Sequence, residues 1–390
     1  MDLAWNEQQR ALSAKFREFG RAAVAPGSSE RDRASSFDLG LWRRLAAEGF
    51  WHVAVPKELG GDGGGLSEYA AALEGLARGA ADPGFVVSVG AHGALIQLLL
   101  RYGTERQQEK WVPRLLAGEV GATACTEPGG GSHVTGIRTT ARPLPGGGYE
   151  LSGHKCHITN APVADIALIV GRVADAGNRD ISLFLVERGQ AGVVQGDHED
   201  LVGLRTSPLG PITLDGARVA PDALLGEVGD GLDILYWCLA LDRLSFGVIA
   251  AAHIASFVPT ALERATTREA FGAPIAEYQY VQDKIVRMQV AAESARALSY
   301  ATLLALEGED PRAGLLASCA KLTSAQGIVE SSQELVQLFG HMGCDRDFGI
   351  ERALRDAAAF RIAGGTDEMQ KKNIFHQLLA GHRRGREVAR

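Results

Sequence analysis

The chain has 390 residues and a formal net charge of −7, which predicts roughly two or three domains and argues against a general nucleic-acid binder. No apolar run reaches the ~18–20 residues that span a bilayer, and the N-terminal segment MDLAWNEQQR lacks the apolar core of a signal peptide. The cysteines are scattered and have no CxxC spacing, so they predict reduced thiols, no metal site and a cytoplasmic location.

Residues 1–120 carry helical periodicity. The segment NEQQRALSAKFREFGRAAV places Leu12, Phe16, Phe19 and Ala23 on one face of a helix. Further amphipathic segments follow, among them SEYAAALEGLARG and GTERQQEKWVPRLLAG. This part of the chain is therefore predicted to form an N-terminal helical domain.

Residues 121–228 have a different pattern. The segments YELSGHKCHITNA, ADIALIVGRV, DISLFLVERG and GPITLDGARVA alternate or run apolar, and Gly, Asp and Asn residues interrupt them. These segments predict the strands of a central antiparallel β-barrel or sandwich.

Residues 229–390 return to helix. The segment GLDILYWCLALDRLSFGVIAAAHIASFVPTALERATTREAFG is apolar around most of its circumference, which is typical of a helix buried among other helices. More long helical segments follow, so the fold class is predicted to be mainly α with a β middle domain. The segment RIAGGTDEMQ is unusual in this region, because each glycine costs a helix roughly 1 kcal/mol relative to Ala. A turn or the close approach of a ligand is expected there.

Several short motifs contain residues that could bind a ligand or take part in catalysis. ACTEPGGGSH opens the β-domain with a Thr, a Glu-Pro break, three glycines and a Ser. A loop of this kind offers free N–H groups to an anion or to the edge of a ring, although a plain turn is the alternative for this loop alone. GHKCHITNA follows at a distance that lets a second strand reach the same ligand. REAFG, QLFGH and GGTDE complete the set in the helical region.

Taken in order with VPKELGG, VGLRTSP, AKLTSAQG and ERALRDA, these motifs resemble the acyl-CoA dehydrogenase flavoprotein family, in particular its isovaleryl-type and aminoacyl-carrier-protein dehydrogenase subset. The resemblance implies an N-terminal helical domain, a middle β-domain and a C-terminal four-helix bundle. It also implies non-covalent FAD shared across a subunit interface in a homotetramer or a dimer. The implied reaction is α,β-dehydrogenation of an acyl or aminoacyl thioester on CoA or on an acyl or peptidyl carrier protein. An electron-accepting flavoprotein or oxygen would be the partner.

The family's cofactor contacts, transferred position by position, imply a set of FAD-binding residues. Thr126 and Ser132 are expected at the isoalloxazine edge, and Thr159 is expected near flavin N5. Thr366 and Glu368 are expected on the adenosine side. A neighbouring subunit would contribute four more residues: Arg268, Phe271, Gln337 and Gly340. Considered singly, such residues are more typical of a surface salt bridge, core packing or a helix cap.

The base that removes the α-proton requires a separate argument. Many relatives carry a Glu where Gly364 stands, whereas the isovaleryl-type subset carries its Glu on the first long bundle helix, directly before an Arg. The matching pair is Asp242-Arg243. A carboxylate inside such an apolar helix is unusual, and desolvation would raise its pKa toward that of a base active at neutral pH. Asp242 is therefore the predicted base, with a structural salt bridge as the alternative, and the N–H of Gly364 is the predicted donor to the thioester carbonyl.

Two departures from the family pattern leave alternatives open. His133 replaces a common Asp, and His157 stands where a Trp commonly covers the flavin, so His157 is also a candidate cofactor contact. Without that Trp, oxygen would reach the flavin differently. A flavin-dependent monooxygenase or oxidase on the same fold is thus one alternative, and a catalytically silent FAD-binding relative is another. The Asp242-Arg243 pair favours the dehydrogenase, because proton abstraction needs a base.

Overall fold

A computed structural model of the chain describes residues 4–388, with side-chain environments described up to residue 383. Helices precede and follow a β-sheet, which confirms the predicted order of a helical part, a β middle part and a second helical part. All five cysteines are unpaired, as predicted.

The described residues of the N-terminal part form six α-helices. Their bounds are α1 Glu7–Phe19, α2 Ser28–Ala34, α3 Leu39–Ala47, α4 Leu66–Ala80, α5 Pro83–Tyr102 and α6 Glu105–Leu116. Asn6 begins α1 with a capping box, in which its side chain accepts a hydrogen bond from Gln9 N. The predicted apolar face of α1 is confirmed, since Phe16 is buried and Leu12 and Phe19 pack against the core.

The middle part is one sheet of eight strands. The bounds are β1 Gly121–Ala124, β2 Thr140–Pro143, β3 Tyr149–Thr159, β4 Ile166–Val173, β5 Ile181–Glu187, β6 Val193–Gln195, β7 Leu209–Val219 and β8 Leu224–Leu225. The strands lie in the order β6-β7-β3-β2-β4-β5-β8, and β1 also pairs with β4.

The predicted strands are all present, but the sheet is not purely antiparallel. Both β1 and β2 run parallel to β4, while the other pairs are antiparallel. Parallel neighbours require a crossover connection, and alternation within single strands does not report the direction of their neighbours.

The C-terminal part contains the longest helices. Their bounds are α7 Gly231–Thr267, α8 Gln279–Glu307, α9 Ala313–Phe339, α10 His341–Cys344, α11 Glu351–Phe360 and α12 Asp367–Val388, with a short hairpin of β9 Glu269–Ala270 and β10 Ala273–Pro274 after α7. Helices α7, α8 and α9 pack on one another, and α11 and α12 pack on α9.

Two helices have the length and composition of a membrane span among the described residues. The apolar windows of α5 and α7 are 78% and 67% buried within the fold. The prediction that no segment reaches this length was therefore wrong for these helices. Core helices of globular proteins pass the same test, and packing inside the fold accounts for the apolar character of both.

The three parts meet along α7, which packs against α4 and α5, against β5 of the sheet, and against α8 and α9. A buried ionic cluster ties them together near one end of the helices. Arg352 of α11 donates to Asp82 before α5 at 2.9 Å, and Leu204 N, from the loop before β7, donates to Asp356 of α11 at 2.6 Å. This frame fixes α11, and with it the glycine-containing loop that follows, against the other two parts.

Candidate active site

Asp242 lies on the face of α7 that is turned toward the loop between α11 and α12. Its side chain is partly buried. Burial raises the pKa of Asp242 to about 6, although the positive charges of Arg243 and Lys321 oppose that rise. The carboxylate is therefore ionised at neutral pH and binds a proton more strongly than an exposed Asp does, which are the properties a general base needs.

Gly364 lies directly against Asp242. Its backbone has φ +67°, and Gly365 has φ +98°. Residues other than glycine rarely adopt this left-handed region. A Cβ atom at Gly364 would lie 3.3 Å from Asp242 Oδ2 and 3.3 Å from Phe246 Cδ2. The carboxylate of Asp242 thus points into the space that a side chain at position 364 would enter.

Arg243 holds the loop of Gly364 in place. Its Nε donates to the carbonyl oxygen of Gly364 at 3.2 Å. Gln370 of α12 donates to the same carbonyl at 3.2 Å and to the carbonyl of Gly365 at 2.8 Å. Two donors on the carbonyls fix the peptide planes of the glycine pair, and no hydrogen bond of the described chain occupies the N–H of Gly364.

The glycine-rich loop after β1 is anchored by a buried ion pair. Lys155 of β3 is fully buried and donates to Glu127 at 2.8 Å and to the carbonyl of Cys125 at 3.0 Å. Glu127 also accepts hydrogen bonds from the N–H and the hydroxyl of Thr139. Burial disfavours the charge on Glu127, but the hydrogen bonds from Lys155 and Thr139 outweigh it and lower the pKa of Glu127 to about 2.

The predicted contacts Thr126, Ser132 and Thr159 lie on this loop and on β3. The carbonyl of Thr126 accepts a hydrogen bond from the N–H of Cys156, which brings the loop alongside β3. A Cβ atom at Gly129 would meet nothing within 4 Å, so the loop backbone is open on one side. The loop therefore offers hydroxyl groups and an open face, and the Lys155–Glu127 pair fixes its position. These features suit the binding of the polar edge of a flat ring.

The same loop approaches the carboxylate of α7. The thiol of Cys238, one turn before Asp242, is affected by the charges of both Asp242 and Cys125. Burial is the main cause of the raised pKa of Cys238.

His157 has an unusual conformation on β3. Its φ is +55°, at an irregularity in the pairing of β3 with β7. Its side chain is 62% exposed, and Nδ1 lies 2.7 Å from Glu199 Oε2. The N–H of His157 also donates to Glu199, at 3.2 Å. Glu199 thus holds both the backbone and the ring of the residue that replaces the family's Trp. His133, the other departure, is exposed on the glycine-rich loop.

The residues expected to serve a neighbouring subunit lie together, far from Asp242. Arg268 ends α7, and the two-residue turn of the hairpin holds Phe271 at φ +51° with its ring fully exposed. Gln337 and Gly340 end α9 and are also exposed. The two groups meet because Arg264, near the end of α7, donates to the carbonyl of Phe339 at 3.4 Å.

Helix length separates this group from the base. At ~1.5 Å per residue, α7 places Arg268 roughly 39 Å from Asp242, which is longer than an extended dinucleotide. Arg268 and Asp242 therefore lie far apart along α7.

Thr366 and Glu368 lie beside the glycine pair at the start of α12. The hydroxyl of Thr366 accepts a hydrogen bond from Met369 N at 3.3 Å, so it caps the helix. Glu368 is exposed, and its pKa is lowered by hydrogen bonds from its own backbone and from Thr366. Both residues stand at the Asp242 end of α7.

Four residues around the site were missed by the sequence analysis: Tyr69, Glu127, Lys155 and Lys321. Glu127 and Lys155 stand inside two of the quoted motifs, but a pairing across β3 is invisible to local spacing. Tyr69 of α4 is buried, its hydroxyl is unpartnered, and the charge of Asp242 acts on it. Lys321 lies on the buried face of α9, so its position in the helical periodicity could have identified it from the sequence.

The raised pKa of Asp242 predicts how the stability of the protein depends on pH. The pKa of Asp242 rises from 3.8 to about 6 on folding. The stabilisation that the protonated carboxyl gives the folded state is therefore fully present below about pH 4 and is lost as the pH rises through about 6. Asp242→Asn has no proton to lose. We expect the free energy of unfolding of the variant, minus that of the parent, to be on the order of 1–3 kcal/mol larger at about pH 8 than at about pH 4. Urea unfolding at the two pH values tests this.

The control for that measurement is Asp233→Asn, which changes an exposed aspartate near the start of the same helix. It should show no comparable dependence on pH. A difference between Asp242→Asn and the parent that stays constant across pH would contradict the buried titration.

Metal chemistry receives no support from the described side chains, among which no group of three His, Cys, Asp or Glu residues could hold an ion.

Comparison with known proteins places the whole chain in one family. The models of the N-terminal, middle and C-terminal domains of acyl-CoA dehydrogenase match residues 6–119, 122–217 and 229–379. An acyl-CoA dehydrogenase of Bacillus subtilis is 33% identical and aligns over 96% of this chain and 99% of its own. The L-prolyl-[peptidyl-carrier protein] dehydrogenase of Pseudomonas fluorescens is 31% identical, over 97% and 100%.

Solved structures agree with this placement. The butyryl-CoA dehydrogenase of Megasphaera elsdenii has a TM-score of 0.93 at 30% identity, covering 97% of this chain and 100% of its own. PigA, solved with FAD and proline, has a TM-score of 0.92 at 28% identity, covering 97% and 99%. The chain belongs to the acyl-CoA dehydrogenase family and is a flavin oxidoreductase acting on CH–CH bonds with FAD as its cofactor.

Proposed function

We propose that the enzyme forms a double bond between Cα and Cβ of an acyl or aminoacyl thioester, with Asp242 as the base that removes the α-proton. The observation that carries the proposal is the contact between Asp242 and Gly364, where a Cβ atom would lie 3.3 Å from the carboxylate. The family resemblance implies a Glu at one position or the other. Here the glycine leaves the space open and the carboxylate from α7 points into it.

The surroundings of Asp242 suit proton abstraction. Burial raises its pKa to about 6, so the group is ionised at neutral pH and keeps an affinity for a proton. The N–H of Gly364 would donate to the thioester carbonyl, on which negative charge develops as the proton leaves. Arg243 and Gln370 hold the carbonyl of Gly364, which belongs to the next peptide along the chain, and so restrain the loop that carries the donor.

Bound FAD would supply the acceptor for the hydride that leaves the β-carbon. Three residues would hold the isoalloxazine edge: Thr126, Ser132 and Thr159. His157, oriented by Glu199, would lie where the family's Trp covers the ring. Thr366 and Glu368 would contact the adenosine side, and the partner would supply four residues in a homotetramer or dimer: Arg268, Phe271, Gln337 and Gly340.

The carrier of the acyl group is proposed to be either CoA or a carrier protein. The printed names of the similar proteins include both classes, an acyl-CoA dehydrogenase and a prolyl carrier-protein dehydrogenase. The electron acceptor is proposed to be a flavoprotein or oxygen, since an electron-transferring flavoprotein is among the similar structures. The location is proposed to be the cytoplasm.

The function is tested by anaerobic mixing of the FAD-loaded enzyme with a panel of acyl and aminoacyl thioesters on CoA and on phosphopantetheinylated carrier protein. Bleaching of the oxidised flavin together with a product lighter by two hydrogens supports the dehydrogenase. Failure to bleach with every thioester, combined with substrate hydroxylation by reduced flavin and oxygen, would favour the monooxygenase instead.

The shared cofactor site gives a further prediction. Arg268→Ala should weaken FAD binding roughly 10-fold or more, because loss of a charge-assisted contact to the FAD of the neighbouring subunit costs about 1.5–3 kcal/mol. The variant should also shift the oligomer toward monomer. Equilibrium dialysis and analytical ultracentrifugation measure the two effects. Arg142→Ala, an exposed change on β2, is the control, and a monomeric variant with full FAD occupancy would argue against a shared site.

A further inference from the structure

Lys321 is a buried cation that the proposed mechanism does not use. Its side chain has no exposed surface, and its Nζ has no hydrogen-bond partner among the described residues. Its helix face is otherwise built of small buried residues, including Ala317 and Ala325. Lysines are almost never fully buried unless they are paired or functional, so this one calls for a chemical reason.

The face of α9 that carries Lys321 is turned toward the Asp242-Arg243 turn of α7. Ser318, one helical turn before Lys321, lies with its Oγ 3.5 Å from Arg243 Nη1. Arg243 in turn donates to the carbonyl of Gly364. Lys321 is therefore positioned behind the two elements that form the candidate active site, with its side chain fully buried.

Charged and titratable groups reach this region from every element packed around it. The groups coupled electrostatically to Asp242 or Lys321 lie on α4, on α7 and around the start of α12: Tyr69, Cys238, Arg243, Arg361 and Asp367. Arg361 is already paired with Asp367 at 2.7 Å. Arg243 is already bonded to the glycine loop. Within this described group, Lys321 is the cation left without a hydrogen bond.

We propose that Lys321 is a positioning residue for the reaction, whose buried ammonium acts through space on Asp242 and keeps that carboxylate ionised at neutral pH. The inference rests on the role proposed above for Asp242 as the base. A positive charge favours the ionised form of a nearby carboxylate, and a low-dielectric surrounding strengthens the effect. Lys321 touches neither substrate nor cofactor in this role.

The titration of both groups agrees with the geometry. Burial lowers the pKa of Lys321 to about 8, with the negative charges of Asp367 and Asp242 opposing that change. Burial raises the pKa of Asp242 to about 6, with Arg243 and Lys321 opposing it. Between these values Lys321 is protonated and Asp242 is ionised, so the lysine supports the base over the neutral pH range. Removing the positive charge must move the ionisation of Asp242 to higher pH.

The test replaces Lys321 with Met, which keeps the length of the side chain and removes the charge. Lys321→Gln is a second neutral variant that keeps a polar end, should the Met variant fail to fold. Infrared titration of the carboxyl band that disappears in Asp242→Asn reports ionisation of Asp242 without any substrate. Anaerobic flavin reduction measured across pH reports its use as a base.

We expect both midpoints to rise by about one pH unit in the neutral variants. The rate of flavin reduction at about pH 6 then falls roughly 5-fold, while the rate at about pH 8 changes little. Lys372→Met, an exposed lysine on α12, serves as the control and should leave the midpoints in place.

A purely structural Lys321 would lower the rate equally at every pH and leave the infrared midpoint unchanged, and that result overturns the inference. If the infrared midpoint shifts but the rate profile does not, Lys321 does act on Asp242, and Asp242 is not the base. The two proposals therefore fail in different measurements.

Discussion

Asp242→Asn should bind FAD normally and reduce its flavin with a thioester at least ~100-fold more slowly than the parent enzyme, the scale expected for a positioned general base. The substitution keeps the size of the side chain and removes its capacity to accept a proton. The neighbouring bonds do not depend on the Asp242 charge, because Arg243 is held by the carbonyl of Gly364. Stopped-flow absorbance under anaerobic conditions measures the effect.

Two variants sharpen this result. Asp242→Glu should stay within roughly 10-fold of the parent, because it restores the side chain of the isovaleryl-type subset and the bare Gly364 leaves room for it. Asp233→Asn, on the exposed side of the same helix, should reduce flavin at the parent rate. If Asp242→Asn also does so, Asp242 is structural, and His157 or water becomes the next candidate for the proton acceptor.

Lys155→Met should destabilise the protein by roughly 3–5 kcal/mol at neutral pH, because it leaves the ionised Glu127 buried without its partner. Lys155 is fully buried and donates to both Glu127 and the carbonyl of Cys125. With this anchor gone, the loop of Thr126 should lose its fixed position. Weaker FAD binding is therefore expected together with the lower midpoint of chemical unfolding.

The pH dependence of this effect has a defined sign. The pKa of Glu127 in the parent is lowered to about 2, so its contribution to stability is present above its unfolded value of about 4.5 and is lost as the pH falls through about 2. Without Lys155 the pKa of Glu127 rises, and the carboxyl protonates in mild acid. The cost of Lys155→Met should thus be smaller at about pH 4 than at about pH 7.

Lys372→Met, which removes an exposed lysine of α12, is the matched control and should stay within about 0.5 kcal/mol of the parent. If Lys155→Met unfolds at the parent midpoint and retains FAD, the buried pair does not anchor the loop.

The sequence by itself determined the family, the order of the three parts and most of the regular elements. The distribution of apolar residues was sufficient for α1, in which they recur on one face, and for α7, which is apolar around most of its circumference. Four strands of the middle part, β3, β4, β5 and β7, were also predicted within a few residues, whereas the shorter β1, β2, β6 and β8 were not. The motifs named Asp242, Arg243 and Gly364 before their geometry was known.

Only the tertiary structure decided what those residues touch. Position 364 follows position 242 by more than a hundred residues, and no local pattern reports that a Cβ atom at Gly364 would lie 3.3 Å from the carboxylate of Asp242. The parallel pairing of β1 and β2 with β4, the Glu127–Lys155 pair and the burial of Lys321 have the same origin. Each depends on contacts between distant segments, and the desolvation that sets the pKa values of Asp242 and Lys321 exists only after those segments have packed.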